Sequence, residues 1–435
     1  MKKLLIVSPY FPPDNTADMH RVRQSLSYYG AFDWDVQVLC VDPNFTEAYK
    51  DTSLLQTIPE SIVIHRVKAP SSKLTRKIGL GSIALRSLIP LYLKGNKIVR
   101  SWKPDLVFIS TTQFPSMLLG AWWKSKFKIP YVLDFQDPWH HDHYLTLPIE
   151  QRPAKFWFSY RLNKYLEPLA VRKTDGIIAV TQAYIDTLNN RYPEINNCPQ
   201  AVIPFGASLE DVREKYVSHL PEYFPAIEST TFRIVYTGVI NQEMLPVIRQ
   251  FLLAFKHLIS NNEIDTRKYH LYFIGTSYGS GINRKYKLAE IVNELSLDEY
   301  LTEIPERVPF LTALQIQKHA DLLLLPGTID KNYIASKLAP YLLSGRPIFS
   351  IFRRSSEACE KLVEQKRVVI IPFESEEELE GLNNSIFYGL LHAIKSIVEL
   401  AKEPIQSPEK YSAEALTGEQ VQIFNKIYRV LHPKT

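Results

Sequence analysis

Cysteine is scarce in this 435-residue chain: only Cys40, Cys198 and Cys359, far apart and without a CxxC spacing. An odd, scattered set argues against a disulfide framework or a zinc ribbon and for reduced thiols in a cytosolic protein. Long apolar runs are missing as well. The stretch around residues 80–93 carries Arg86 and Pro90 and falls short of the roughly 20 residues that span a bilayer. The opening MKKLLIVSPYFPPD loses its apolar run at Pro9, too early for the core of a signal peptide. A cytoplasmic location without a transmembrane anchor is therefore expected. Acidic residues are absent between Ser61 and Pro104, where ten Lys and Arg stand. Lys124, Lys126 and Lys128 follow among Trp122, Trp123 and Phe127. Leu88, Ile89, Leu91 and Tyr92 sit among the charges, so region 61–128 reads either as a solvated basic face or as a surface for anionic lipid. Nucleic acid is not expected, since no helix-turn-helix, zinc finger or RNP signature accompanies the charge.

Several catalytic signatures are absent too. There is no zinc-protease helix and no Walker GxxxxGK[ST]. The segment IGTSYGSGINRK (274–285) has Gly275, Gly279 and Gly281 without GxGxxG spacing, and reads as a loop whose Arg284 and Lys285 reach toward a phosphate. LDFQDPWHHDHY (133–144) gathers Asp134, Asp137, His140, His141, Asp142 and His143. Adjacent histidines on an irregular loop do not converge on one centre, so no metal is expected and the segment reads as a polar rim. Asp137 stands out, because a carboxylate at a strand's carboxyl end can bind a hydroxyl or accept a proton. The rival reading has it cap a helix that begins with Pro138.

What is present is soluble and globular in composition, 45% hydrophobic and 22% charged, and long enough for two domains of about 200 residues. Short runs rich in Val, Ile and Leu alternate with helical-length segments. KLLIVSPY (3–10), DVQVLCVD (35–42), SIVIHRV (61–67), DLVFIST (105–111), PYVLDF (130–135), GIIAVT (176–181) and AVIPFG (201–206) form a first set. FRIVYTG (232–238), HLYFIGT (270–276), YLTEIPE (300–306), DLLLLPG (321–327), PIFSIF (347–352) and RVVIIPF (367–373) form a second. Runs of this kind suit strands buried on both faces of doubly wound parallel sheets. The expected organisation is a Rossmann-like domain over 1–206, a linker over 207–231, a second Rossmann-like domain over 232–405, and a C-terminal helix within 406–435. That helix is capped near Ser412, carries Val421, Phe424, Ile427 and Leu431 on one face, and is expected to pack back on the first domain.

Ligands in such folds bind outside the carboxyl ends of the strands. SPYFPPDNTADMHRV (8–22) is a first turn stiffened by three prolines, feeding a helix with His20 and Arg21. In NYIASKLAPYLLSGRPIF (332–349), Lys337 opens a helix that Gly345 closes. Pro340 costs little in a first turn, and is expected to keep Ala339 out of the helix, leaving donors near Ser336–Leu338 for an anion.

The order of these segments resembles the GT-B glycosyltransferases related to family 4. KLLIVSPYFPPDNTADMHRV, PYVLDFQDPW and VIPFG are similar to the acceptor half, and IVYTG, LYFIGT, RVPFLTAL, ADLLLLPG and ASKLAPYLLSGRPI to the donor half. The resemblance runs from residue 3 to about 365. It implies two Rossmann-like domains facing a central cleft, with a nucleotide-diphosphate sugar on the second domain and the acceptor approaching from the first. It implies Arg307, Val308 and Phe310 beside the nucleobase, Gly238 at the turn under the donor, and Ser336 and Lys337 at the diphosphate. It implies Asp137 near the reacting sugar. From the loops themselves, His20 is a candidate catalytic or sugar-contacting group, and Asp14, Asn15, Arg21 and His140 are candidates for the acceptor side of the cleft. Two departures stand out. The paired glutamates common among relatives fall at Asn332 and Pro340, and the Arg and Lys that often follow the TG turn are replaced by VINQEM.

The expected activity is transfer of a sugar from a nucleotide-diphosphate donor to a glycan or lipid-linked acceptor in surface polysaccharide or glycoconjugate synthesis, retaining and metal-independent, with no cofactor. The alternatives are a non-catalytic GT-B protein that binds a sugar nucleotide or a partner enzyme, and a nucleotide-sugar epimerase. An anionic membrane surface, through region 61–128, is the expected further partner, with the protein peripheral on the inner membrane face.

Overall fold

The computed structural model describes residues 1–433 except 76–80, 141–144, 146–147, 150–151, 153–155, 213–230, 266–267, 278–284 and 331–335. The chain divides into two compact units: Met1–Gly206 with Ser412–Thr435, and Ala207–Tyr411. Where it enters and leaves the second unit, the Ala207 amide donates to the Tyr411 carbonyl at 2.9 Å. The linker expected over 207–231 lies mostly outside the described residues. Its start, Leu209–Val212, is a 3-10 turn of the second unit.

Unit 1 is built on seven parallel strands in the order β3-β2-β1-β4-β5-β6-β7. They are β1 (Lys2–Val7), β2 (Trp34–Val41), β3 (Val63–Val67), β4 (Leu106–Ser110), β5 (Tyr131–Phe135), β6 (Gly176–Ala179) and β7 (Gln200–Val202). The last is offset from AVIPFG: it begins at Gln200, and its bonding to β6 ends with the Ile203 amide donating to the Ala179 carbonyl at 2.8 Å. Ile6 pairs with both Val38 and Phe108, so the two halves of the sheet meet at β1 and β4. One face carries the helices α1 (Ala17–Ser25) and the C-terminal helix Ala413–Leu431; the other carries α2 (Ile83–Trp102), α3 (Leu118–Phe127), α4 (Phe156–Val171) and α5 (Gln182–Arg191).

Two contacts show how sequence sets this packing. Gly95 of α2 lets the Trp123 ring of α3 settle against it: a β-carbon there would lie 2.0 Å from that ring. On the other face Phe424 meets the rings of Trp34 and Phe108 with centroids 5.8 and 5.1 Å apart, and Tyr29 donates to Gln420 Oε1 at 2.6 Å. The C-terminal helix is thus core to unit 1. Ser412 caps it by accepting from the Ala415 amide, and Val421, Phe424 and Ile427 are buried. Leu431, assigned to the same apolar face, is exposed, since the helix outruns the sheet there.

Unit 2 has six parallel strands in the order β10-β9-β8-β11-β12-β13: β8 (Phe232–Thr237), β9 (Tyr269–Ile274), β10 (Leu301–Ile304), β11 (Leu322–Pro326), β12 (Ile348–Arg353) and β13 (Val368–Phe373). Its helices include α6 (Leu245–Ser260), α7 (Phe310–Lys318), α8 (Leu338–Leu343) and α9 (Asn383–Lys395). Strand order reverses between β8 and β11, whose registers pair Leu322 with Ile234 and Leu323 with Val235. In each unit the reversal opens a crevice at the strands' carboxyl ends, the place where doubly wound sheets take ligands.

Candidate functional site

In unit 2 the reversal point is occupied by one lysine. β8 ends in Thr237 and turns at Gly238, which has φ +129°, a conformation that favours glycine. Lys337, from the loop after β11, lies directly on that turn: a β-carbon on Gly238 would sit 2.1 Å from its Nζ and 2.3 Å from its Cε. The ammonium donates to the Tyr236 hydroxyl at 2.6 Å and stands 4.6 Å from the centre of that ring. Tyr236 in turn donates to the Val239 carbonyl at 2.8 Å. One helical turn beyond Lys337, the Tyr341 hydroxyl accepts from the Thr237 amide at 2.9 Å, and Gln317 donates to Thr237 Oγ1 at 2.7 Å. The turn is held from several sides. Next to it, Gly275 ends β9 with φ +76° and packs beside Gly238.

The electrostatics follow from this packing. Lys337 is half-buried by its exposed surface, but the protein packed around its ammonium pulls it down to about 7, and among the described residues it forms no ion pair. A desolvated cation without a counter-ion is costly and favours an anion that can approach it. Arg307 and Val308 lie in the loop from β10 to α7, at the same end of the sheet, and Phe310 is the first residue of α7. Val308 is buried in a cluster with Leu338, Ala339 and Tyr341, which ties this loop to α8, while Arg307 and Phe310 are half-buried. Ser336 is exposed beside Lys337.

One expectation for this segment is corrected. Ala339 is helical, the second residue of α8, and Pro340 is the third, so the proline sits inside the first turn rather than holding Ala339 out of it. It costs little there because a first-turn amide has no partner within the helix. Lys337 is the N-cap residue immediately before this six-residue helix. The VINQEM turn has no cation because it serves α6: Ile240 is buried, and Asn241 accepts from the Met244 amide at 3.0 Å to cap a 3-10 turn leading into that helix. Asn332, Arg284 and the glycines at 279 and 281 lie outside the described residues.

In unit 1 the crevice is lined by carboxylates. Asp18, in the first turn of α1, crosses the reversal point: its Oδ2 accepts from Thr111 Oγ1 at 2.9 Å and from the Thr112 amide at 3.1 Å, both just past β4. Asp137 follows β5. Crowding by surrounding protein and the nearby Asp18 charge push its carboxyl up to about 6, while its side chain remains open to solvent. Residues 137–140 carry no helix, so Pro138 does not begin one and Asp137 caps nothing there. Asp134 is fully buried; its Oδ2 lies 2.9 Å from Arg21 Nε and accepts from Ser110 Oγ at 2.6 Å. Burial drives the Asp134 carboxyl upward against the pull of Arg21. Arg21 also donates to the Ile203 carbonyl at 2.7 Å and faces the Phe205 ring, so it cross-braces α1, β5 and the segment after β7.

The remaining unit 1 candidates occupy different settings. Asp14 is buried, paired with Lys50 and accepting from Thr46 at 2.7 Å; burial raises its carboxyl. Asn15 is buried, its amide donating to the Tyr49 carbonyl at 2.8 Å. Both anchor the proline-stiffened loop to the 46–51 segment. His20 is half-buried, with Nε2 3.1 Å from Asn15 Oδ1 and Nδ1 beside Arg23. His140 is buried against Glu167, Nδ1 to Oε2 at 3.0 Å, with Arg191 and Tyr192 completing the group. Burial alone would raise Glu167, but His140, Tyr192 and Arg191 hold it below the usual carboxylate range. Four candidates, Asp14, Asn15, Arg21 and His140, therefore carry structural bonds within the unit. His141, Asp142 and His143 lie outside the described residues.

Three participants went unread in the sequence: Tyr236, Tyr341 and Asp18. Tyr341 had a signal, standing four residues after Lys337 in SKLAPY and so on the same helical face. Asp18 had none, since its partners Thr111 and Thr112 are far away in the chain. The three cysteines are free thiols.

Residues 22–211 match the family described as Glycosyltransferase Family 4. No curated protein sequence matches the chain. Among solved structures, a Rickettsia africae glycosyltransferase is 13% identical over 98% of this chain and 98% of its own, with a TM-score of 0.61. Anabaena HepE, solved with UDP-glucose, is 15% identical over the whole of both chains, with a TM-score of 0.59. The UDP-GlcNAc 2-epimerase of Methanocaldococcus jannaschii is 15% identical over 98% of this chain and 100% of its own, with a TM-score of 0.54. At these identities the likeness establishes the fold, which transferases and an epimerase share.

Proposed function

We propose that this chain, a glycosyltransferase of the GT-B fold with a family 4 domain in its first unit, transfers a sugar from a nucleotide-diphosphate donor bound on unit 2 to a hydroxyl of a glycan or lipid-linked acceptor. One observation carries the reading: a desolvated lysine without an ion pair among the described residues lies on the Gly238 turn at the reversal point of the second sheet. In the transfer, the bond from the anomeric carbon to the diphosphate oxygen breaks, a bond to the acceptor oxygen forms, and the acceptor's proton passes to the departing diphosphate oxygen. Negative charge grows on the leaving diphosphate. A preorganised cation in a dry site is worth most at that moment. Lys337 supplies it without a metal. Gly238, having no side chain, leaves the space that the Lys337 side chain fills, so the cation can stand on the turn. Arg307, Val308 and Phe310 are assigned to the nucleobase, and Asp137 to the reacting sugar. Retention of configuration belongs to the same reading.

The test is a thermal-shift panel of nucleotides and nucleotide sugars on the full chain. A ligand that binds only the folded state stabilises it by about 2.7 kcal/mol at a hundredfold excess over its dissociation constant. Stabilisation by one nucleoside diphosphate and its sugar, lost in Lys337→Ala, is the expected result. Silence across the panel would refute the donor site. Incubating the identified donor without acceptor separates the reaction classes: an isomerised sugar nucleotide would replace the transferase reading with an epimerase. Activity retained in EDTA, and a product anomer matching the donor's in NMR, are expected.

A further inference from the structure

The sheet face of unit 1 that carries α2, α3 and α4 combines exposed apolar side chains with several cations that form no ion pair among the described residues. On α2, Ile89 and Leu93 stand one turn apart, Ile89 67% exposed, and the stripe continues into Lys97 and Arg100. α3 packs between α2 and α4. Its exposed Trp122 meets Tyr92 of α2 edge-on at 5.4 Å, and Lys126 donates to the Tyr92 hydroxyl at 3.2 Å. On α4, Trp157, Arg161, Tyr165 and Leu169 recur every fourth residue and are all exposed, Trp157 at 65% and Tyr165 at 67%. The Arg161 guanidinium lies over the Trp157 ring.

Charge of one sign dominates the face. α2 and α3 contain no acidic residue, and the one acid of α4, Glu167, is buried against His140. Lys97, Arg100, Lys126, Arg161 and Lys164 form no ion pair among the described residues; at the margin, Asp175 and Glu194 pair with Lys124 and Arg172. The basic region singled out in the sequence is narrowed by this geometry. Arg86 is buried with both terminal nitrogens engaged, by Glu47 and the Pro70 carbonyl, and Arg66 donates to the Pro12 carbonyl. The aromatic stripe of α4 joins the face instead.

We propose that this α2–α3–α4 face docks on an anionic lipid bilayer, the aromatic and aliphatic side chains entering the interface and the lysines and arginines meeting the headgroups. Aromatic rings with one apolar body and a polar tip, set among basic side chains, are what such an interface selects. Among the described residues no helix is long and apolar enough to cross a membrane, so the contact is peripheral. Docking is independent of the donor reading, because every residue invoked belongs to unit 1.

The experiment is vesicle co-sedimentation of the full chain with phosphatidylcholine alone and with phosphatidylcholine containing phosphatidylglycerol. Binding to the anionic vesicles alone is expected, weakened by high salt. The charge variant Lys97→Glu/Arg100→Glu/Lys126→Glu is expected to lower partitioning on the order of a hundredfold. The apolar variant Ile89→Ser/Leu93→Ser/Trp157→Ser is expected to abolish stable binding while leaving the nucleotide thermal shift of unit 2 unchanged, which also reports that the variants fold. Partitioning unaffected by the charge variant would overturn the proposal. So would loss of binding in the charge variant with none in the apolar variant, because the face would then be a general polyanion site such as one for RNA or an acidic protein.

Discussion

Lys337 and Gly238 share one volume: the lysine side chain fills the space in which any other residue at 238 would place its β-carbon. Gly238→Ala is therefore expected to evict the ammonium as well as strain a φ of +129°. The strain alone should cost about 1–3 kcal/mol in denaturant unfolding. Nucleotide affinity, measured by calorimetry, should drop at least tenfold. Affinity equal to wild type would show that the turn does not underlie the donor.

The same lysine makes donor binding depend on pH. In the free protein its ammonium titrates near 7, and an arriving diphosphate raises that value. Above pH 7 binding should therefore take up a proton, and affinity should fall by up to about tenfold per pH unit. Calorimetry in buffers of different ionisation enthalpy reads the proton directly, and Lys337→Met should abolish both effects. Without ligand the sign is also fixed. The folded value lies below the unfolded one, so between about 7 and 10.5 the unfolded chain binds more protons and stability rises with pH. For turnover, Lys337→Met should cost on the order of 10²- to 10³-fold in kcat.

Tyr341→Phe removes one oxygen and nothing else. The Thr237 amide, buried at the end of β8, would lose its partner, at about 1–3 kcal/mol. If the hydroxyl positions the Gly238 turn, nucleotide affinity falls together with stability. A stability loss with donor affinity intact would assign Tyr341 to packing alone.

Glu167→Gln tests whether His140 serves structure rather than the acceptor. Breaking the group with His140 and Arg191 should destabilise the protein by about 3 kcal/mol. The wild-type carboxyl lies below its unfolded value. Its contribution is therefore full above the unfolded carboxylate range and is lost as pH falls through the folded value. The Gln variant should show a flatter acid limb in a stability–pH curve, with an unchanged nucleotide response.

Asp137→Asn should leave nucleotide binding alone and lower kcat by about 10²- to 10⁴-fold. In the wild type, activity should rise with pH through about 6 as this carboxyl ionises. An acid limb that persists in the Asn variant would assign that ionisation to another group.

Both parallel sheets were legible in the sequence because strands buried on two faces must be continuously apolar, and KLLIVSPY or DLLLLPG leave few other readings. Lys337 and Asp137 could be picked out from the loops that follow such strands, and Gly238 from the resemblance to the GT-B family. Asp14, Asn15, Arg21 and His140 looked equally available by residue type and position. What separates them is Lys50, Tyr49, Asp134 and Glu167, partners that local pattern does not supply. Pro340 could be read only as tolerable in a first turn; its exact place depended on how α8 packs Leu338, Ala339 and Tyr341 into the core.

By itself the sequence determined the alternation of strand and helix, the two sets of strands, and the turns after them where a ligand can bind. Those properties follow from local periodicity and backbone chemistry. The tertiary structure decided which polar side chains are engaged and which cations remain without an ion pair. It laid Lys337 on Gly238, closed Tyr341 onto Thr237, buried Arg86 and left Lys126 exposed. Each of these depends on packing between segments far apart in the chain, and burial, which sets the charge state of Lys337, exists only once those segments meet.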